Sequence, residues 1–408
     1  MIKRPHRAII LVAALICTGM GGYLITWSYF RDSLGRLFPS WSQSQLSLPF
    51  SLHNVVVCIM MVTAGAMLRK LSGRAVLFLG GLAILLGFGL FPYLPLDNPG
   101  AALVMVTILF GLIAAPSVGI GVIAGFDTFL PWFPDRPGAV SGLLTFFCGV
   151  APLPLGALCG VLINGFGVLR AVQIIGIGLA VLIFISLIWA KKPGSDAGLP
   201  APPPKVETNT GTDYSPKEML TTGTFWCFFA YSLLLRSAGL VVFDLGGTIA
   251  VAFGVSTIIG LLFAPLNGVA CILGGFIMDR FSAHKVTLLF SIFAAFGGVF
   301  LFLGSIFGSA LMVITGISCV GFAYGGITVT NVTGTRMFFG MKHYAMNLGI
   351  VSVSIGPAAA AVFLAGNLKT SDSFTGIFLL VLIFSILSVV CCCLMFLTER
   401  SRKRKLTN

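Results

Sequence analysis

Three ionisable side chains, His53, Arg236 and Asp244, lie inside long apolar stretches of the sequence. A charge in hydrocarbon costs roughly 3 kcal/mol or more, so such a residue by default faces a cavity, a partner or a ligand. Arg236 keeps its charge at every physiological pH, and its planar guanidinium suits bidentate binding of a carboxylate. We therefore predict that Arg236 binds an anion. The alternative is permanent neutralisation by helix-end carbonyls or by Asp244.

A second set of candidates carries no fixed charge. His53 would bind a proton, because histidine titrates near physiological pH, or it would stay a neutral hydrogen-bonding group between helices. Asn267 and Tyr324 can orient a carboxylate through hydrogen bonds. Asn331 and Asn347 can do the same but are weaker candidates, since asparagines that pack near helix ends are ordinary.

These residues must be positioned by helices that cross a membrane. Of the 408 residues, 57% are apolar and 9% are charged, whereas soluble globular chains are roughly 25% charged. Apolar runs of this length and uniformity satisfy their backbone groups in lipid only as helices. We predict an all-α integral membrane protein whose twelve transmembrane helices lie near residues 8–30, 45–68, 75–94, 101–125, 139–163, 168–190, 222–243, 255–278, 286–303, 309–333, 345–364 and 374–397.

The basic residues indicate how these helices are oriented. The net charge is +13; if the N-terminus is cytoplasmic, twenty Lys and Arg fall in inside segments, four fall outside, and Arg236 lies within a helix. The positive-inside rule then predicts a multi-pass protein of the cell membrane with both termini in the cytoplasm. Bases dispersed in this way do not form the basic face that binds nucleic acid. The first apolar run is long enough to span, so we expect no cleaved signal peptide.

The remaining chemistry-bearing residues exclude an enzyme. The ten cysteines all lie in apolar segments and form no CxxC pair, so the pattern favours neither disulfides nor a metal site, and we expect no metal and no cofactor. An intramembrane protease would need paired membrane aspartates, an HExxH motif or a serine in Gly-x-Ser-Gly. The nearest approach is 139–142, Ala-Val-Ser-Gly, which lacks the first glycine.

The chain divides into two similar halves. Residues 191–221 are rich in Pro, Gly, Thr and charged residues, which is typical of a flexible cytoplasmic linker. Segment 65–74 aligns without gaps on segment 275–284, and such a repeat within twelve helices is typical of secondary transporters. The predicted domains are a six-helix half at 1–190, the linker at 191–221, a pseudo-symmetric six-helix half at 222–397 and a basic cytoplasmic tail at 398–408.

The second copy of this repeat contains a charged loop motif. Gly275, Asp279, Arg280 and Phe281 stand as Gly-x-x-x-Asp-Arg-Phe, a pattern that resembles the loop motif of the major facilitator superfamily. In the first copy, Arg69 occupies the acidic position. The motif would act as a charged latch, because Asp279 can cap or pair across helix ends at the cytoplasmic face. The alternative is a solvated turn with a positive-inside bias.

Further stretches resemble the oxalate:formate antiporter and monocarboxylate transporter family of that superfamily. These stretches keep their order over nearly the whole chain and include Trp27-Ser28-x-Phe30, Trp132-Phe-Pro-Asp135-Arg136, Phe225-Trp226, Asn267 twelve residues before Asp279, and Asn347-x-Gly349. The resemblance implies the major facilitator fold, transport of a small carboxylate by antiport or symport, and a gating loop that contains Asp135 and Arg136.

The sequence departs from this family at its two cationic positions. Members of the family hold a dicarboxylate with an arginine in helix 8 and a lysine in helix 11, and these positions correspond here to Cys271 and near Ile355. Arg236, in helix 7, is the one cation in the core. One positive charge matches one carboxylate better than two, so we predict a monocarboxylate rather than oxalate.

The prediction is a monomeric secondary transporter that works by alternating access. It would bind a small organic anion at Arg236 between the halves and either exchange it for a counter-anion or move it with a proton. Two alternatives stay open, a transporter-like membrane sensor and an exporter of another amphipathic small molecule. A cation exporter is disfavoured because Asp244, the one acid within the spans, lies near the outer boundary.

Overall fold

The computed structural model describes residues 7–20, 23, 27–150, 152–194, 198–200, 213–254, 263–368 and 374–407. Nearly all of these residues are helical, and eight of the described helices are long and apolar enough to cross a membrane. Every predicted span coincides with helix in the described part of the chain, so the all-α membrane class is confirmed. The predicted span near 345–364 contains two helices, Tyr344–Ser352 and Ile355–Leu368, rather than one.

The chain forms two compact units. The first comprises residues 1–134 and 147–201, and the second comprises residues 135–146 and 202–408. Residues 135–146, which the sequence places in the first half, therefore cluster with the second unit. The physical reason is a close backbone approach: a methyl group on Gly275 would lie 3.0 Å from the carbonyl carbon of Gly138 and 3.1 Å from Cα of Gly142.

The first unit is built from helices that pack through glycines. Its helices are α1 (Arg7–Thr18), α2 (Trp27–Leu37), α3 (Gln43–Met67), α4 (Gly73–Gly89), α5 (Pro99–Val106), a π-helical segment (Thr107–Ala114), α6 (Pro116–Phe129), the second part of α7 (Pro137–Val150), α8 (Pro152–Phe166) and α9 (Val168–Ser186). A methyl group on Gly121 would lie 2.7 Å from the carbonyl oxygen of Cys17, and one on Gly125 would lie 2.6 Å from Thr18 Cγ2. The small residues at these positions thus let α6 approach α1 closely.

The second unit contains the longest helices of the described chain. They are α10 (Pro216–Thr221), α11 (Gly223–Ala252), α12 (Phe263–Arg280), α13 (Ala283–Phe307), α14 (Ala310–Phe339), α15 (Tyr344–Ser352), α16 (Ile355–Leu368) and α17 (Thr375–Thr407). Helix α14 packs along α12 and α13, and α17 packs along α11 and α13. The outer faces carry exposed Ile292, Phe296, Ile386 and Val390, an apolar surface that suits contact with lipid.

Prolines stand at or just after described helix boundaries in two of the predicted spans. Pro116 begins α6 after the π-helical segment, and Pro357 is the third residue of α16. A proline has no N–H to donate to the preceding turn, so it is tolerated at a helix start and interrupts a helix elsewhere. Both prolines thus stand in the first turn of a helix, where the missing N–H is tolerated.

The second end of the linker is folded, which corrects the prediction of a flexible segment through residue 221. Asp213 Oδ1 accepts the N–H groups of Met341 (2.8 Å) and Lys342 (3.1 Å), and Tyr214 N–H donates to the carbonyl oxygen of Phe339 (3.0 Å). Helix α10 then begins with a capping box between Ser215 and Glu218. The segment from 213 to 221 thus docks on the loop before α15. The Asp213 carboxylate satisfies backbone N–H donors of that loop, and the Tyr214 N–H satisfies a backbone carbonyl oxygen.

Candidate functional site

Arg236 lies deep inside the second unit on α11. The exposed ring of Trp226, near the start of this helix, donates its Nε1–H to the carbonyl oxygen of Leu220. Arg236 follows ten residues later, about 15 Å along the helix axis, and is 6% exposed. A guanidinium at this depth needs polar partners, because removing a charge from water is unfavourable unless its hydrogen bonds are replaced.

Tyr324 of α14 supplies one of these partners. Arg236 donates a side-chain hydrogen bond to the Tyr324 hydroxyl. The ring reaches this position because Gly239 of α11, three residues beyond Arg236, has no side chain: a methyl group there would lie 2.8 Å from Tyr324 Cγ. Two of the residues that the sequence selected are thus brought together by the packing of α14 against α11.

Asn267 lies on α12, where this helix meets α14. The Cys271 thiol, one turn further along α12, lies 3.6 Å from Asn267 Oδ1 and 3.4 Å from the carbonyl oxygen of Gly325. A methyl group on Gly325 would lie 2.7 Å from Asn267 Oδ1, so the small residue lets α12 and α14 approach closely. Asn267 on α12 therefore lies against Gly325, the residue that follows Tyr324 on α14.

A layer of buried hydroxyls and one amide lies on the same helices, one turn closer to the start of α11. Asn331 Nδ2–H donates to Ser232 Oγ (2.7 Å), and Ser232 Oγ lies 2.8 Å from Ser354 Oγ. Tyr231 and Thr330 share a hydrogen bond of 3.0 Å between their hydroxyl oxygens. Ser354 lies between α15 and α16. The layer therefore connects the break between these two helices to α11 and α14.

Two of the asparagines selected from the sequence have structural partners. The Asn347 amide, fully buried on α15, donates to the carbonyl oxygen of Tyr214 (3.0 Å) and so holds the docked linker. Asn331 donates to Ser232 as described. Asn347 therefore makes an anchoring contact, whose partner lies 133 positions away in the chain. Its interpretation as a carboxylate-orienting residue stays a prediction.

Asp279, the acid of the loop motif, caps the N-terminus of α7. Its Oδ1 accepts the N–H of Gly138 (2.6 Å) and its Oδ2 accepts the N–H of Ala139 (2.8 Å). A carboxylate at a helix N-terminus satisfies free backbone donors and interacts favourably with the helix dipole. Burial nevertheless raises the pKa of Asp279 above its usual value, and this effect outweighs the two backbone hydrogen bonds and the charge of Arg336, which lower it.

The other residues of the two loop motifs lie around this cap. Gly275 is buried at the close approach to Gly138, and Arg280, the last residue of α12, is exposed. Asp135 lies 4.0 Å from Arg136, whose side chain is 75% exposed. An ion pair of this length at the surface contributes little, so the cap at Asp279 is the stronger of the two charged contacts.

His53 lies in the first unit, fully buried on α3. Its Nδ1 lies 3.0 Å from the carbonyl oxygen of Phe110, which belongs to the π-helical segment. A carbonyl only accepts, so Nδ1 carries the proton. Tyr23 donates its hydroxyl to the carbonyl oxygen of Ala114 (2.8 Å) in the same segment. A π-helical turn displaces carbonyls from their usual partners, and His53 and Tyr23 each satisfy one of them.

Sequence reasoning missed Tyr231, Ser232 and Ser354. A usable signal was the spacing of Ser232 and Arg236, which are four residues apart and so share a face of α11. Tyr324 and Asn331 stand seven apart on α14 and share a face in the same way. Asp244 is the acid that the sequence offers as a partner of Arg236, and its side chain lies outside the described residues.

Comparison with known proteins identifies the class to which this architecture belongs. The sequence matches the family model of the Major Facilitator Superfamily over residues 9–354. The chain therefore belongs to this superfamily, and it is a multi-pass membrane transporter of that type. It is 24% identical over 361 residues, covering 86% of this chain and 85% of the relative, to the uncharacterized MFS-type transporter YhjX of Escherichia coli (strain K12).

Solved structures confirm the fold. A double Trp mutant of XylE superimposes with a TM-score of 0.74 at 15% identity, covering 96% of this chain and 95% of that one. A bacterial homologue of the iron transporter ferroportin, in its outward-facing state, gives 0.70 at 13% identity over 97% and 99% of the two chains. FucP, in the outward conformation, gives 0.66 at 15% identity over 96% and 98%. At these identities the likeness concerns the major facilitator fold alone.

Proposed function

We propose that the protein is a secondary transporter of a small organic monocarboxylate and that Arg236 binds the carboxylate. The observation that carries the proposal is a buried guanidinium in the middle of α11 that donates a hydrogen bond to the neutral hydroxyl of Tyr324. A hydroxyl satisfies a donor without cancelling the charge. A bidentate carboxylate would add a negative charge and two acceptors in the geometry of the guanidinium.

Binding of a single carboxylate is favoured over binding of a dicarboxylate. A second carboxylate would need its own cation, and Cys271 occupies the helix position where the resemblance implies one. Helices α12 and α14 meet at this point so closely that Gly325 approaches Asn267 within contact distance. A long cationic side chain from α12 would have no room there, so the substrate's second end is expected to be neutral or apolar.

Substrate binding would be coupled to alternating access through charge. An unliganded guanidinium in the protein interior is costly, and an anion lowers that cost in the occluded state. At the cytoplasmic face, the cap of Asp279 on α7 would act as a latch that must break and re-form in each cycle. Asp135 and Arg136 precede α7 and would move with it.

Counterflow in liposomes tests the substrate. The reconstituted protein is loaded with unlabelled acetate, lactate, formate, oxalate or succinate, and uptake of the labelled compound is followed. We expect exchange of one or more monocarboxylates and at least tenfold slower exchange of oxalate and succinate. Uptake of dicarboxylates alone would contradict the assignment. Absence of any exchange would favour the alternative of a membrane sensor.

The role of Arg236 is tested with two substitutions. Arg236→Gln removes the charge and should abolish carboxylate exchange, while Arg236→Lys keeps the charge without the bidentate geometry and should raise the half-saturation concentration about tenfold or more. Arg170→Gln, at an exposed position near the start of α9, is the matched control and should behave like the wild type. If Arg236→Gln inserts correctly and transports at the wild-type rate, Arg236 is not the anchor.

Proton coupling is a separate question, which concerns His53. Repeating the counterflow assay with and without an imposed pH gradient distinguishes anion exchange from proton symport. In the structure, His53 holds the π-helical segment through Phe110, so His53→Asn should lower stability. An unchanged pH dependence in that variant would assign His53 a structural role, and a lost dependence would assign it the proton.

A further inference from the structure

Gly239, three residues beyond Arg236 on α11, is a point of close approach between α11 and α14. A methyl group on Gly239 would lie 2.8 Å from Cγ and 3.0 Å from Cβ of Tyr324, and closer still to the ring atom Cδ2. These are atoms at the base of the side chain, not its mobile end. The Tyr324 ring therefore rests directly on the backbone of α11, and any side chain at residue 239 would displace it.

Helix α14 is also pressed from the other side, so it cannot retreat to make room. Gly325, the next residue, lies against α12, where a methyl group would be 2.7 Å from Asn267 Oδ1 and 2.8 Å from the Asn267 carbonyl carbon. Two consecutive residues of α14 thus make close approaches to two different helices. The Tyr324 ring has one place in this packing, and that place puts its hydroxyl on Arg236.

We propose that Gly239 is a positioning residue that sets the affinity of the anion site, because its bare backbone seats the Tyr324 ring and thereby holds the Arg236 guanidinium in one orientation. The inference rests on the proposed function, in which Arg236 binds the substrate. Residues 236 and 239 lie three apart on the same face of α11. A guanidinium that is held before the anion arrives loses less conformational freedom on binding. In this role Gly239 acts through Tyr324.

A double-mutant cycle separates this role from general packing. Gly239→Ala displaces the ring, Tyr324→Phe removes the hydroxyl and keeps the ring, and the third variant combines both. We expect each single variant to raise the half-saturation concentration for acetate about tenfold, the loss typical of one hydrogen bond to a charged group, with a maximal rate within about twofold. The double variant should be no worse than Gly239→Ala. Additive effects, or no effect of Gly239→Ala, would overturn the proposal.

A second readout does not depend on transport. The midpoint of thermal unfolding in detergent is measured for the same variants without an anion. If Gly239→Ala already breaks the hydrogen bond between Tyr324 and Arg236, the double variant should lower the unfolding midpoint by less than the sum of the two single variants. A decrease equal to that sum would overturn the inference. If the cycle is non-additive here while no carboxylate is exchanged, the positioning contact stands and the proposed function fails.

Two controls complete the design. Gly178→Ala is the matched control, because Gly178 on α9 has nothing within 4 Å of an added methyl group; it should change neither readout. If Gly239→Ala alone does not fold, it is combined with Tyr324→Ala, which removes the ring. Recovery of folded protein supports the steric link between the two residues, and failure to recover overturns it.

Discussion

At the scale of single residues, two opposing effects act on the carboxylate of Asp279. It accepts two backbone N–H groups of α7, and it is at the same time withdrawn from water. Hydrogen bonds to the charged form and the nearby Arg336 lower the pKa, whereas burial and the charge of Asp135 raise it. Burial dominates, so the carboxyl group takes up a proton more readily in the folded protein than in the unfolded chain.

This raised pKa predicts a pH dependence of stability. The folded state binds the Asp279 proton at a higher pH than the unfolded state, so its contribution is fully present at low pH and is lost as pH rises through the folded pKa. The variant Asp279→Asn cannot titrate at this position. Relative to it, the wild type should therefore lose stability as the pH rises from the ordinary pKa of an aspartate to the raised pKa of Asp279. Unfolding midpoints in detergent from pH 4 to pH 7 measure the difference.

The control for this prediction is Asp97→Asn, which makes the same change of charge at an exposed position. Its midpoint should follow the wild-type pH curve. A wild-type curve that gains stability over the same window relative to Asp279→Asn would mean that the backbone hydrogen bonds of α7 outweigh burial.

At the scale of helices, the break between α15 and α16 is held by side chains of other helices. Pro357 and Gly356 interrupt the helical hydrogen bonds, and Gly356 N–H donates instead to the carbonyl oxygen of Val353 (3.0 Å). Ser354, at the break, contacts Ser232 of α11. Such interrupted helices occur near binding sites in transporters, where backbone groups can face the substrate path.

Ser232 is predicted to stabilise this break. Ser232→Ala removes the acceptor of the buried Asn331 amide and the partner of Ser354, and a buried polar group left unsatisfied costs about 1–3 kcal/mol. The free energy of unfolding should fall by roughly that amount in a denaturant titration. Ser385→Ala is the control, because that buried hydroxyl bonds only to the carbonyl oxygen of Val381 in its own helix among the contacts described. Equal losses in the two variants would argue against the network.

At the scale of the whole molecule, charge is expected to set the orientation. Twenty of the 25 Lys and Arg lie in segments that the positive-inside rule places in the cytoplasm. The two ends of the linker also have separate anchors. Lys192 lies 2.7 Å from Asp127 in the first unit, and Asp213 docks on the loop before α15 in the second.

Reporter fusions test the orientation. Green fluorescent protein fused after residue 408 should fluoresce, and alkaline phosphatase at the same place should be inactive, because the C-terminus is predicted to be cytoplasmic. Alkaline phosphatase inserted at Asp97, between α4 and α5, should be active. The opposite pattern would invert the topology and with it the assignment of Asp279 to the cytoplasmic face.

The sequence by itself determined the membrane class and the position of the helices, and it predicted a binding role for Arg236. Hydropathy, proline positions and charge act locally along the chain, so a single sequence is sufficient to read them. Asp279 was also recognisable, because its motif is short and contiguous. These features account for the fold class and for the cation of the candidate site.

Only the tertiary structure decided what these residues contact. Arg236 meets Tyr324 because Gly239 leaves space on α11, Asp279 caps α7 rather than a neighbouring turn, and Asn347 binds the linker. Each contact joins residues far apart in the chain and depends on which helix faces lie opposite each other at a separation of a few ångströms. Local composition does not encode that pairing, because it arises from packing the helices together.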